Sequence, residues 1–326
     1  MITRRLMLHA VATAAGLATA AMPALAQSTW PERPVRIIVP YAAGQGADVL
    51  TRMVAQELQK TLGQPIVVEN RAGAGGNIGT AAVAKSAPDG YTFLLGTNAT
   101  HAANEFLYTG LGFHPARDFD AVAMIGLLPM VIGTTQAELK TNGIADLIAR
   151  AQAQPGTLNV GLPSTTAQVV FAQFVQQAKA PLFAVKYKAS GQSMTDVLGG
   201  QIPLVIDTVT AARPHIAAGK LRALGITSLK ASDMLPGVQP VAQQGVPGFD
   251  VVAWDAFFAP KGTPADIVQK FSAHLQQAIA QPDTRRRMMD IGVEPLFMGP
   301  RELDGFVKQE RVKWGGIIQS AGIRME

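Results

Sequence analysis

The chain has 326 residues, no cysteine and a formal net charge of +5 at neutral pH. The lack of cysteine excludes disulfides, thiolate metal sites and thiolate nucleophiles from these residues. The charges are dispersed, and their one cluster, residues 285–287, is more typical of a solvated helix face than of a nucleic-acid site, so we expect no nucleic-acid partner.

The N-terminal segment has the pattern of an export signal. Arg4 and Arg5 precede an apolar run over residues 6–21, and small residues at Ala24 and Ala26 occupy the two positions that a signal peptidase inspects. We therefore predict a signal peptide over residues 1–26 and a mature protein in the periplasm. A retained membrane anchor is the alternative, but an apolar run of about 16 residues is short for a span. The paired arginines also match a twin-arginine signal loosely, which leaves the export route open.

After this segment, strands and helices alternate. Strands are predicted where β-branched residues concentrate and helices where apolar residues recur at spacing four, as for Leu50, Val54 and Leu58. The predicted order is strand 35–39, helix 48–62, strand 66–69, helix 77–86 and strand 91–96. This order favours a parallel sheet with helices on both faces.

A second block of the same kind begins near Val122. The predicted elements are helix 146–153, strand 157–160, helix 168–178, strand 183–187, helix 193–198, strand 202–207 and strand 221–226. The C-terminal region is predicted to be mostly helical, with helices at residues 265–280 and 301–321. Two α/β blocks without a flexible linker indicate two lobes joined by crossing strands.

Several catalytic signatures are missing from the sequence. No serine lies in a G-x-S-x-G elbow, and no H-E-x-x-H pair is present. Residues 73–79 are rich in glycine, but Ile78 stands where the dinucleotide fingerprint needs its third glycine. No Walker-type lysine follows a glycine loop. We therefore expect a binding protein without a cofactor or metal rather than an enzyme.

The best candidate for a binding site is the turn between the first strand and the first helix. Its residues are Tyr41, Ala42, Ala43, Gly44, Gln45, Gly46, Ala47 and Asp48. Small residues let backbone N–H groups approach a ligand, and the free N–H groups and positive dipole end of the helix favour an anion such as a carboxylate. Asp48 stands at the expected N-cap, and we favour capping over ligand contact for this residue.

Two further loops follow strands in the same way. Ser164, Thr165 and Thr166 offer hydroxyls and free N–H groups to a second polar group, although helix capping by Ser164 or Thr165 explains them equally well. Thr97 and Asn98 follow the strand at 91–96. Because ligands of open α/β sheets bind outside the carboxyl ends of the strands, the three loops should converge.

Asp207 is the one acid that we place at the cleft, because it ends the apolar run 202–206. A buried acid there either accepts a hydrogen bond from an amine or hydroxyl of the ligand or pins a backbone turn. The sequence leaves both roles open.

Several motifs lie in order along residues 30–323. They are WPERPVRIIVP at 30–40, AGQGAD at 43–48, ENRAGAGGNIG at 69–79, APDGYT at 87–92, DF at 118–119, YK at 187–188, TDVLGGQ at 195–201, GKLRAL at 219–224 and APKGTP at 259–264. In these motifs the chain resembles the Bug-type periplasmic solute receptors of tripartite tricarboxylate transporters.

The resemblance implies an α/β, two-lobed periplasmic-binding-protein-like fold of type II, the Venus flytrap. We expect lobe 1 to comprise residues 27–127 and 250–326, and lobe 2 residues 128–249. It also implies capture of a small organic acid and its delivery to membrane permease subunits. We expect the protein to be a monomer. Backbone N–H groups of residues 41–48 and bridging waters would hold one carboxylate, and residues 161–166 would complete the site.

Residues 163–166 depart from the family pattern, which has a glycine-rich stretch there. Val169 or Val170 stands near the usual histidine and Gln173 near the usual glutamate. Fewer charges and more apolar surface in this region favour a longer or less polar acid, such as an aromatic acid. We expect the ligand to be a dicarboxylate or an aromatic acid. The remaining alternatives are a receptor that presents its ligand to a signalling partner, and an enzyme acting on organic acids.

Overall fold

The computed structural model describes residues 30–135, 139 and 141–324, so the predicted signal peptide at residues 1–26 lies outside the described residues. Arg33–Glu326 form one compact unit. Its strands are β1 Val35–Val39, β2 Ile66–Asn70, β3 Thr92–Thr97, β4 Phe119–Leu128, β5 Met130–Thr134, β6 Asn159–Leu162, β7 Phe183–Lys186, β8 Leu204–Thr208, β9 Arg222–Ile226, β10 Ala253–Pro260 and β11 Glu294–Met298.

Ten α-helices connect and cover these strands in the described part of the chain. They are α1 Gly46–Leu62, α2 Asn77–Ala84, α3 Asn104–Leu107, α4 Ile144–Ala153, α5 Thr165–Ala178, α6 Ser190–Leu198, α7 Val209–Ala217, α8 Ala265–Ala280, α9 Pro282–Asp290 and α10 Pro300–Ala321. None of these helices combines the length and apolar character that crossing a bilayer requires.

The described strands form two sheets, both mixed. The first has the order β11-β4-β10-β3-β1-β2, and the second has the order β7-β6-β8-β5-β9. In the first sheet β1 is parallel to β2 and β3, whereas β10 is antiparallel to both of its neighbours, β3 and β4. In the second sheet β6 is parallel to β7 and β8, and β5 is antiparallel to β8 and β9. The expectation of a parallel sheet is therefore wrong for β5, β10 and β11.

The chain crosses between the sheets at Pro129, which alone separates β4 from β5. It returns to the first sheet as β10, every residue of which is buried. Trp254 of β10 and Trp314 of α10 both donate their indole N–H to Oε2 of Glu310, at 3.0 and 2.8 Å. This shared acceptor fixes α10 against the strand at the centre of the first sheet.

Most predicted elements are confirmed, with ends that shift by a few residues. Helix α8 has the predicted bounds, and β1 coincides with the predicted strand 35–39. Strands β4, β5, β10 and β11 and helices α3 and α7 were not predicted from the sequence. Strand β10 is buried on both faces, so its apolar residues do not alternate with polar ones, and periodicity alone does not identify such a strand. Helix α7 contains Pro214, which weakens a helical pattern.

Candidate ligand-binding site

A cavity of about 520 Å³ lies at the carboxyl ends of strands from both sheets. The first sheet contributes the segments that follow β1, β2 and β3, and the second contributes those that follow β6, β7 and the end of β8. The structure thus brings together the three loops that were expected to converge. Such a crevice outside strand ends is where open α/β sheets bind ligands.

The loop of residues 41–48 lines this cavity with five of its residues. Its lining residues are Tyr41, Ala42, Gln45, Gly46 and Ala47. Helix α1 begins at Gly46 after Gln45 as N-cap, and no side chain of the described residues caps it. The first N–H groups of a helix lack intrahelical acceptors, so this uncapped end offers donors and positive potential at the cavity wall.

Ala43, Gly44 and Asp48 are not among the residues that line the cavity. Asp48 is also not the N-cap, because α1 begins at Gly46 and Gln45 is its N-cap. Its carboxylate accepts hydrogen bonds from the backbone N–H of Gly44 at 2.8 Å, from Arg52 Nε at 2.9 Å and from Asn70 Nδ2 at 2.9 Å. Burial alone would raise the pKa of Asp48, but these three donors outweigh it and hold the pKa below its ordinary value. Asp48 therefore stabilises the loop through these hydrogen bonds without lining the cavity.

Thr97 and Asn98 connect the first loop to the second sheet. The hydroxyls of Tyr41 and Thr97 are 2.7 Å apart and share a hydrogen bond. Asn98 donates from Nδ2 to the Thr166 hydroxyl at 2.9 Å, which joins the segment after β3 to the start of α5. Both Thr97 and Asn98 are buried and line the cavity.

Ser164, Thr165 and Thr166 also line the cavity. Ser164 caps α5, because its hydroxyl accepts a hydrogen bond from the Ala167 N–H at 3.1 Å. The capping role that the sequence allowed is therefore real for Ser164, while Thr166 is engaged by Asn98.

Asp207 lies at the cavity with only one of its two oxygens engaged. Oδ1 accepts hydrogen bonds from the Thr208 N–H at 2.7 Å and from the Ser190 hydroxyl at 3.1 Å. No described residue donates to Oδ2, which is buried. Burial raises the pKa of Asp207 to about 7, although the donors on Oδ1 oppose the shift. The carboxyl group thus pins a turn and also retains a free acceptor.

The sequence analysis missed Asp255, which lines the cavity from β10. This residue pairs with Thr97 of β3 and is 3% exposed. Burial raises its pKa to about 7 as well. An acid inside the otherwise apolar run 253–260 was a signal for this position, but the run had not been recognised as a strand.

The loop after β2, residues 72–76, also lines the cavity and was missed. Gly75 and Gly76 have φ of 63° and 97°, a region that favours glycine. A Cβ on Gly75 would lie 2.7 Å from the Tyr108 hydroxyl, and one on Gly76 would lie 2.8 Å from Cγ2 of Thr100. The loop needs glycine for this close approach. The strand-end rule that identified the other loops applied here too.

Other residues complete the wall. They are Pro40, Ala99, Tyr108, Leu128, Pro163, Gln168, Tyr187, Lys188, Ser190, Thr208 and Ala253. Tyr187 donates its hydroxyl to Asp196 Oδ2 at 2.7 Å, and burial followed by this carboxylate raises its pKa to about 12. No group of three or more His, Cys, Asp or Glu side chains suited to a metal occurs among the described residues.

Residues 50–323 match the family described as "Tripartite tricarboxylate transporter family receptor", TctC. The chain belongs to this family. It is 36% identical to the protein BugT of Bordetella pertussis over 95% of this chain and 96% of that protein. TctC and Bug proteins are periplasmic receptors, and the chain is a solute receptor of this kind rather than an enzyme.

Solved structures of TctC and Bug receptors share the fold. The R. palustris protein Rpa4515 with adipate superposes with a TM-score of 0.86 at 33% identity, over 90% of this chain and 99% of that one. The periplasmic binding protein BugD gives a TM-score of 0.82 at 32% identity, over 91% of this chain and 100% of that one. The expected two-lobed periplasmic-binding-protein fold is confirmed by these structures.

Proposed function

We propose that this TctC-family receptor captures a small organic carboxylate in the 520 Å³ cavity and delivers it to membrane permease subunits. The uncapped N-terminus of α1 carries the proposal, because Gly46 and Ala47 place its free N–H groups at the cavity wall. That Rpa4515 is found with adipate supports a carboxylate as the ligand. The mature receptor, without residues 1–26, would work in the periplasm.

The ligand class within this proposal is a dicarboxylate or an aromatic acid. Gly46 and Ala47 at one wall and Thr165 and Thr166 at the opposite wall supply polar groups for two ends of a molecule. We place lobe 1 at residues 27–127 and 250–326 and lobe 2 at 128–249, with the cavity between them. Closure of such lobes on a ligand is a hinge motion stabilised by contacts to both sides.

A thermal-shift screen tests the proposal. We expect at least one acid among acetate, succinate, adipate, citrate, benzoate and phthalate to raise the melting temperature in a concentration-dependent way, since a ligand that binds only the folded state stabilises it. The variant Gly46→Leu should lose this response. A Cβ at this position would lie 3.4 Å from Cγ2 of Thr210, and the rest of the leucine side chain would crowd the helix end.

Ala43→Leu is the matched control, since Ala43 lies in the same loop but is exposed and outside the cavity lining. This variant should respond to the acid as the parent protein does. A carboxylate that stabilises the Gly46→Leu variant as strongly as the parent would show that the acid binds elsewhere.

A further inference from the structure

Asp255 is a buried acid, and its Oδ2 has no hydrogen-bond partner among the described residues. It occupies the middle of the first sheet, in register with Thr97 of β3 and Gly126 of β4. It is 3% exposed, and its buried Oδ2 receives no hydrogen bond. Burying a polar group without a partner is unfavourable, and an apolar side chain would be better tolerated there. The fold itself therefore gives no reason for an acid at this position.

Asp48 and Asp207 show how the fold satisfies a buried carboxyl group. Asp48 has three donors, and Asp207 has two on one oxygen. Asp255 lines the cavity, and no described donor engages its buried Oδ2. An acceptor left open at a cavity wall is suited to a donor that arrives with the ligand.

The charges of the cavity favour a particular donor. Among the described residues that line it, the basic and acidic side chains are those of Lys188, Asp207 and Asp255. Lys188 is exposed. A ligand with carboxylates alone would add negative charge beside two acids that no described cation neutralises. An ammonium group would supply both the opposite charge and several N–H donors.

We propose that Asp255 is a specificity-determining residue whose carboxylate binds an ammonium group, so that the captured acid also carries an amine. This inference rests on the proposed function, because the N-terminus of α1 holds the carboxylate end of the same molecule. The open Oδ2 of Asp207 is a second buried acceptor at the same cavity.

The electrostatics of the site agree with this assignment. Burial raises the pKa of both Asp207 and Asp255 to about 7. A cation beside a carboxyl group favours its charged form, so an ammonium group bound by Asp255 would lower the pKa of Asp255 and offset the unfavourable effect of burial. A second carboxylate would do the opposite.

Calorimetric titration of matched acids tests the inference. Each pair differs only in an amine: succinate and aspartate, glutarate and glutamate, adipate and 2-aminoadipate. We expect the best amine-bearing acid to bind at least about tenfold more tightly than its partner, in line with the net strength of charged hydrogen bonds. Asp255→Asn should weaken that ligand by about tenfold or more and should leave the amine-free partner within about threefold.

Asp250→Asn is the control, because Asp250 lies five positions away, pairs with Lys313 and does not line the cavity. Its affinities should equal those of the parent. If an amine-free acid binds as tightly as its amine-bearing partner in the parent protein, the inference is wrong and the proposed function stands. This comparison needs no variant, so it decides the matter even if Asp255→Asn does not fold. If no acid of either kind binds, the proposed function fails as well.

Discussion

Three buried aspartates differ in the groups that surround their carboxyls, and their pKa values differ accordingly. The donors around Asp48 hold its pKa low, whereas burial raises the pKa of Asp207 and Asp255 to about 7. An acid with a raised pKa binds its proton more tightly in the folded than in the unfolded state. Its contribution to stability is therefore largest below the unfolded pKa of 3.8 and declines as pH rises through about 7.

Asp255→Asn should become more stable than the parent protein as the pH rises. An amide needs no ionisation, so the variant avoids the loss that the parent suffers when Asp255 deprotonates. At ~1.4 kcal/mol per pKa unit, the difference in free energy of unfolding should grow in favour of the variant by roughly 2–3 kcal/mol between pH 5 and pH 8. Urea denaturation at both pH values measures this. A difference that stays constant or shrinks would mean that Asp255 is already ionised at pH 5.

The stability of the variant must be compared with that of the parent protein, because His101 changes stability with pH in the direction opposite to Asp255. This side chain is buried and stacks on Phe258 with ring centroids 3.8 Å apart. Burial, aided by Arg311, lowers its pKa to about 3. Because the folded state resists protonation of His101, stability falls as pH drops below about 6.5. Subtracting the profile of the parent from that of the variant removes the His101 effect and leaves that of Asp255.

At the scale of elements, Glu310 holds α10 to β10. One carboxylate oxygen accepts the indole N–H groups of Trp254 and Trp314, and both tryptophans are fully buried. Glu310→Ala leaves two buried donors without an acceptor, which should lower the free energy of unfolding by roughly 2–5 kcal/mol. Chemical denaturation followed by tryptophan fluorescence measures the change.

Gln309→Ala serves as the control, since Gln309 is the exposed neighbour on the same helix. It should change stability by less than about 0.5 kcal/mol. Equal losses in the two variants would mean that the effect comes from α10 as a helix and not from the shared acceptor.

The elements that sequence patterns predict well are those with one apolar face. In α1, buried Leu50, Val54 and Leu58 recur at spacing four, so the pattern was visible. Strand β10 gives no such signal, because both faces are buried and Asp255 and Pro260 interrupt its run of strand-favouring residues. Strand β5, every residue of which is buried, was missed for the same reason.

At the scale of the whole molecule, the cavity joins two sheets whose strand ends face a common space. The rule that ligands bind beyond strand ends identified residues 41–48, 97–98 and 164–166 from the sequence. The loop after β2 also follows this rule, although it was not predicted as part of the site. The rule does not identify Asp255, because this residue lies within a strand. Which residue of an antiparallel strand faces a cavity depends on register, and the sequence alone did not give the register of β10 against β3.

Ligand binding should protect backbone amides on both sides of the cavity at once. Because Gly46 and Ala47 lie on one wall and Thr165 and Thr166 on the other, a bound acid should slow hydrogen exchange in residues 41–48 and 163–166. Mass spectrometry of peptic peptides with and without the best acid of the screen measures this. The segment 281–286, in which every residue except Thr284 is exposed, provides an internal reference that should not change. Protection confined to one loop would contradict a ligand held between the sheets.

The place of β10 has a consequence for how the protein is made. This strand lies between β3 and β4, yet the chain reaches it only after every strand of the second sheet. During synthesis the second sheet can assemble from consecutive residues, whereas the first waits for its middle strand to leave the ribosome. Contacts between residues so distant in sequence form slowly. A truncated chain that ends before residue 253 would expose the unpaired edges of β3 and β4, and such edges recruit other strands.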